Sequence, residues 1–219
     1  MKKVVAAVFA HPDDEAFGPG GTLALLSQKS DVYLITATGG EAGKNSSEDT
    51  NHKLSQIRRK ELLSAAKVLG IKKVYFLGFV DGSLCNALYH KIASNLEEVL
   101  RELKPTTVIT FEPRGISGHI DHIAISFITT YVTKKLSSVK KLLYYCVLEK
   151  YNSAPKDYFI HYPKGYSKDQ IQVEFDIESV FEIKRKAMLK HKSQAHDAKR
   201  ILKNLEKRPK KEYFIATPL

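Results

Sequence analysis

The chain has 219 residues, 43% hydrophobic and 27% charged, enough for one large domain with its own core. Its formal net charge is +11, and its two cysteines, Cys85 and Cys146, exclude a disulfide framework or a cysteine-based zinc site. No window reaches about 18 uninterrupted apolar residues, which excludes a membrane-spanning helix.

Residues 4–10 form a β-branched, nearly charge-free run, the pattern of a buried parallel strand. The start, Met1-Lys2-Lys3 and then apolar residues, resembles a secretory leader. The run stops at His11-Pro12-Asp13-Asp14 with no small-residue cleavage site, so a cytoplasmic location is expected. A helix follows from Pro19 or Gly20 to Lys29, then a strand over 31–38 and a polar loop from Gly39 to about Asn51. A helix over 52–69 ends at Gly70, suited to the left-handed position after a helix. Next come a strand at 73–77, a helix at 88–103 stopped by Pro105, and a strand at 106–111. A helix over 119–135 is expected to be capped by Ser117, and a fifth strand covers 142–148. Pro155, Pro163 and Gly165 mark 152–169 as a surface excursion. The remainder reads as a strand at 171–175, a helix from Ile177 to about His191 and a last strand at 213–217.

Alternating strands and helices predict an α/β fold: a three-layer, Rossmann-like, mostly parallel sheet with helices on both faces, as a single domain over 1–219. The basic stretch from Lys184 through Lys211 reads as a solvated helical face. It lacks the interleaved aromatics that stack bases, so nucleic acid is not the expected partner.

Two histidine motifs follow strands. His11-Pro12-Asp13-Asp14-Glu15 comes after the first, and Gly118-His119-Ile120-Asp121-His122 after the fourth. Each is weak alone, since His-Pro makes turns and acids suit a helix N-terminus. Parallel strands open their following loops onto one sheet edge, where ligands bind in such folds. There the motifs supply the two imidazoles and one carboxylate of a catalytic zinc shell, with a further acid for proton transfer and a further His for the oxyanion. The inventory suits metal-assisted amide hydrolysis.

The chain resembles the LmbE-like, or PIG-L, zinc-dependent de-N-acetylases. The resemblance rests on His11-Pro12-Asp13-Asp14-Glu15, Thr38-Gly39-Gly40-Glu41, Arg58-Arg59-Lys60-Glu61-Leu62, Leu77-Gly78-Phe79 with Asp81-Gly82, His119-Ile120-Asp121-His122, and His191-Lys192-Ser193-Gln194. It implies that His11, Asp14 and His122 bind Zn2+, with Asp13 as general base. It implies His119 as acid or oxyanion stabiliser and Asp121 as a residue orienting a neighbouring His. Arg58, Glu41 and Asp81 are the candidate substrate contacts, and Glu15 is a structural residue of the first helical turn. Iron(II) suits the same donors. The expected substrate is an N-acetylated, sugar-containing small molecule, and the sequence leaves the oligomeric state open. Ser117 stands where some members carry a tyrosine for the oxyanion, so Tyr144, Tyr145 and Tyr151 become candidates for that contact. The alternative function is a nucleotide- or nucleic-acid-binding module whose metal site is not catalytic. The first loop has neither G-x-G-x-x-G nor a phosphate-binding lysine, and its acids oppose phosphate.

Overall fold

Strand β1 (Lys3–Phe9) divides its side chains between two cores. Val5, Ala7 and Phe9 face one side and Ala6 and Val8 the other, as the two-residue period of a strand requires. Both sets are buried, which explains a continuous apolar run in place of an alternating one. The computed structural model describes residues 2–43, 51–154 and 160–218. Residues 44–50 of the expected polar loop, 155–159 of the expected excursion and the side chain of His52 lie outside the described residues.

After β1 come α1 (Asp14–Phe17), α2 (Gly20–Ser27), β2 (Ser30–Thr38), α3 (Asn51–Leu69), β3 (Lys73–Phe79), α4 (Tyr89–Leu103) and β4 (Thr107–Phe111). Then follow α5 (Gly115–Gly118), α6 (Ile120–Lys134), β5 (Lys141–Cys146), β6 (Val173–Asp176), α7 (Phe181–Met188), α8 (Ala195–Glu206) and β7 (Lys211–Pro218). The sheet order is β3-β2-β1-β4-β5-β7-β6. The first five strands are parallel, while β7 pairs antiparallel with both β5 and β6. The mostly parallel α/β architecture is therefore as expected.

One face of the sheet is covered by apolar residues of α2, α3, α7 and α8, among them Leu23, Leu62, Met188 and Leu202. The other is covered by α4 and α6 through Ile92, Leu96, Ile125 and Ile128. From β1 the chain adds β2 and β3 on one side, then returns to add β4 and β5 on the other. The strand order thus reverses between β1 and β4, where open α/β sheets form a crevice beyond the strand ends. Both histidine motifs emerge there.

Two sequence expectations need correction. Helix α6 is capped by His119, whose side chain accepts from the Asp121 backbone N–H, and not by Ser117. Lys184 does not belong to a solvated face: it is fully buried, and its Nζ donates to Glu212 Oε1 at 2.6 Å and Gly18 O at 2.5 Å. The basic stretch also contains helix α8, along which Ala198, Leu202 and Leu205 form a buried stripe.

Candidate metal centre

The first motif turns sharply. Asp13 has φ 121°, a left-handed value that costs a non-glycine residue about 1–3 kcal/mol and persists only where its surroundings enforce it. Its carbonyl accepts from the N–H groups of Ala16 and Phe17, starting α1. Asp14 folds back over the strand end, and its Oδ2 accepts from the backbone N–H of His11 at 2.8 Å and of Ala10 at 3.1 Å.

The second motif meets the first. His11 Nδ1 and His122 Nε2 are 3.0 Å apart, and the Asp14 carboxylate lies 3.3 Å from His122 Nε2 and 3.7 Å from His11 Nδ1. The outer ring nitrogens decide the protonation of the inner ones. His11 Nε2 is 2.9 Å from Asp81 Oδ1 and 3.3 Å from Asp121 Oδ2; carboxylates only accept, so Nε2 carries the proton. His122 Nδ1 likewise donates to Gly115 O at 3.1 Å. His11 Nδ1, His122 Nε2 and the Asp14 carboxylate thus face one point, where a shared proton or a metal cation satisfies all three. Ligands about 2.0–2.1 Å from a tetrahedral zinc stand about 3.3 Å from one another, which the three separations bracket. The donor set therefore fits zinc, with one position left over.

With no metal ion, the carboxylates around the site favour a proton on His11, which a bound metal would displace. Burial works against charge on His11, but hydrogen bonds to Asp121 and Asp81 and the charge of Asp14 outweigh it, raising its pKa to about 10. Burial also opposes ionisation of Asp14, but the charge and hydrogen bond of His122, with His11, hold it well below the usual range. Burial raises Asp13 to about 6, with Arg58 pulling the other way and Asp14 adding to the rise. Burial and the neighbouring His122 and His11 lower His119 to about 4.

His119 sits beside this pair, with donor atoms of His11, His119 and His122 all within 4.8 Å of one another. It differs from them in tautomer. Its Nδ1 accepts from Asp121 N at 3.2 Å, so the neutral ring carries its proton on Nε2. A lone pair for metal is offered by His11 and His122, while His119 offers a donor. His11 with Asp81 and Asp121 forms a second close group, on the outer side of the ring.

Asp121 is buried by the Gly82 and Leu84 N–H groups, which its carboxylate accepts at 2.7 and 3.1 Å. The same carboxylate faces His11 Nε2 at 3.3 Å. Asp81 and Arg58, expected as substrate contacts, both have partners within the protein. The Asp81 carboxylate is spent on His11 and on Ala42 N. Arg58 is 3% exposed, and its guanidinium donates to Gly40 O and Pro12 O, both at 2.6 Å, and to Asp13 Oδ2 at 3.0 Å. A side chain at Gly40, which has φ +71°, would collide with that guanidinium. Glu41 Oε1 accepts from Asp81 N at 3.0 Å, while its buried Oε2 has no partner among the described residues.

Of the tyrosines considered for the oxyanion, Tyr144 hydrogen-bonds Thr130 Oγ1 at 2.6 Å and Tyr145 is buried between Phe111 and Phe214. Both are committed to the cores on opposite faces of the sheet. Tyr151 lies beyond β5 with Arg208 over its ring. The sequence reading missed two supports of the second motif. Buried Glu112 accepts from Arg114 N, Ile116 N and Tyr166 Oη, fixing the loop that carries Gly115. Gly118, at φ +77°, leaves room for His161 O, so the 160–166 segment lies against the histidine loop. The Glu112 bonds to residues 114 and 116 are local, so an acid beside the Pro113 turn was the available signal, whereas Tyr166 and His161 reach the loop from segments distant in sequence.

The family described as PIG-L, GlcNAc-PI de-N-acetylase, matches residues 6–133, and the chain belongs to it. Two proteins named probable N-acetyl-alpha-D-glucosaminyl L-malate deacetylase 2 are similar. That of Bacillus cereus is 36% identical over 57% of this chain and 58% of its own length. That of Bacillus subtilis is 29% identical over 99% of this chain and 94% of its own length. Among solved structures, the N,N'-diacetylchitobiose deacetylase of Pyrococcus horikoshii superimposes with TM-score 0.77 at 24% identity, over 99% of this chain and 84% of that one. GalB, a 4-carboxy-2-hydroxymuconate hydratase from Pseudomonas putida, superimposes with TM-score 0.74 at 18% identity, over 98% and 96%. These likenesses show a shared fold, which a deacetylase and a hydratase both use; chemistry follows from the site.

Proposed function

We propose that this chain is a zinc-dependent de-N-acetylase, a single domain over 1–219 that removes the acetyl group from an N-acetylated amino sugar or a conjugate of one. The observation that carries the reading is the convergence of His11 Nδ1, His122 Nε2 and the Asp14 carboxylate, with Asp13 and His119 beside them. The names of the Bacillus relatives support the substrate class.

His11, Asp14 and His122 would hold the metal. Zinc in that position would act as a Lewis acid toward the acetyl carbonyl and make water acidic enough to attack it. Asp13 takes a proton from the attacking water, with Arg58 fixing the carboxylate through Oδ2. His119 presents Nε2–H to the oxygen that gains charge in the tetrahedral intermediate. The proton collected by Asp13 passes to the departing nitrogen. Water and amide thereby become acetate and amine, and the Asp13 carboxylate is regenerated. Asp81 and Asp121 keep His11 in the ligating tautomer.

The test is acetate release from a panel of N-acetylated sugars, amino acids and polyamines, with metal content measured on the same sample. Turnover confined to sugars, with one zinc per chain, is the expected result. Metal without release from any member would favour the non-catalytic binding module.

A further inference from the structure

Asp13 is held by a residue almost a whole chain away. The strained Asp13 backbone donates its N–H to Glu15 Oε2 at 3.0 Å. The other oxygen of that carboxylate, Oε1, is 2.8 Å from His191 Nε2, beyond α7. Glu15 is 1% exposed and His191 fully buried, and the Phe17 ring meets His191 edge-on. A carboxylate in such surroundings stays put only when its oxygens are satisfied, and a rigid buried donor fixes where it points. The same C-terminal segment also grips the other arm of the site. Ser193 donates its N–H and Oγ–H to Glu61 at 2.9 and 2.6 Å, one helical turn from Arg58 on α3. His191 and Ser193 therefore sit behind the two groups that fix Asp13: Glu15 at its backbone and Arg58 at its carboxylate.

We propose that His191 is a positioning residue for Asp13, acting through Glu15 to hold the left-handed turn that aims the Asp13 carboxylate at the reacting water. The inference rests on Asp13 being the proton acceptor. It adds that the C-terminal segment, which contributes no metal ligand, sets the rate of the chemical step. Any side chain with a donor at the place of Nε2 can do this work, whereas an apolar ring of the same size cannot.

The experiment compares zinc-loaded His191→Phe and His191→Gln with the parent protein. Turnover is followed on the best N-acetylated sugar of the panel, and the Asp13 backbone amide resonance by 15N–1H NMR. His191→Phe is expected to keep its zinc and its KM, to lose about tenfold to a hundredfold in kcat, and to show the Asp13 amide shifted upfield. His191→Gln is expected to restore most of both. A parent-like kcat and amide shift in His191→Phe overturns the proposal; so does equal impairment of the two variants, which marks a packing role only. Should His191→Phe not fold, His191→Asn, too short to reach Glu15, replaces it with the same outcomes. Absence of turnover in the parent protein defeats the proposed activity instead, and the amide resonance still reports whether His191 governs the Asp13 turn.

Discussion

Arg58 Nη2 donates to Asp13 Oδ2 at 3.0 Å, joining α3 to the turn after β1 across 45 positions of sequence. The pair is almost wholly enclosed, with side chains 4% and 14% exposed. Removing one partner of a buried ion pair strands the other charge. Arg58→Met is therefore expected to lower the unfolding free energy by about 3 kcal/mol and to cut turnover while the metal stays bound. Urea unfolding and zinc analysis check this. A loss within the range of ordinary surface substitutions would show that Arg58 does not hold Asp13.

His11 is oriented by Asp81 and Asp121 from outside the metal position. Asp81→Ala removes the nearer acceptor and should weaken zinc binding by about tenfold to a hundredfold, read by competition with a chelator. An unchanged affinity would assign the orienting work to Asp121 alone.

His191 and Glu15 make stability depend on pH. Burial disfavours the His191 charge, but Glu15 outweighs it and raises the folded-state pKa above the ordinary 6.5. The pair's contribution is fully present below about pH 6.5 and disappears as pH rises through the higher folded value. The stability advantage of the parent protein over His191→Phe, from urea unfolding, is therefore expected to be larger near pH 6 than near pH 9. A difference that grows with pH would contradict the assignment.

Lys184 and Glu212 pin the junction between α1 and α2, with Lys184 Nζ donating to Gly18 O and to Glu212 Oε1. Glu212 also accepts from the Gly21 and Thr22 N–H groups at the start of α2, at 3.0 and 2.7 Å. Lys184→Met leaves that carboxylate buried without its cation, an expected loss of about 3–5 kcal/mol. A melt or urea titration measures it.

The strands and most helices were legible because burial writes itself into local pattern. The apolar run at 4–9 and the periodicity of 89–103 could have few other meanings. The two histidine motifs were legible because parallel strands deliver their loops to one edge. What the sequence concealed depends on distance across the fold. The resemblance makes Arg58 and Asp81 candidate substrate contacts, and only the packing of α3 and the 80–84 loop against the first motif reveals their partners Asp13 and His11. His191 and Glu15 are separated by 176 positions, so no local spacing could link them. Lys184 did leave a signal: Phe181, Lys184, Ala187 and Met188 share one helical face, which placed the lysine among apolar neighbours.

The division of labour within the first motif is the central claim, and Asp13→Asn tests it most directly. Acetate release and zinc content are measured together on this variant and on the parent protein. The account predicts that zinc remains at one per chain while release falls by about a hundredfold or more. Loss of the metal, or retention of full activity, would contradict it.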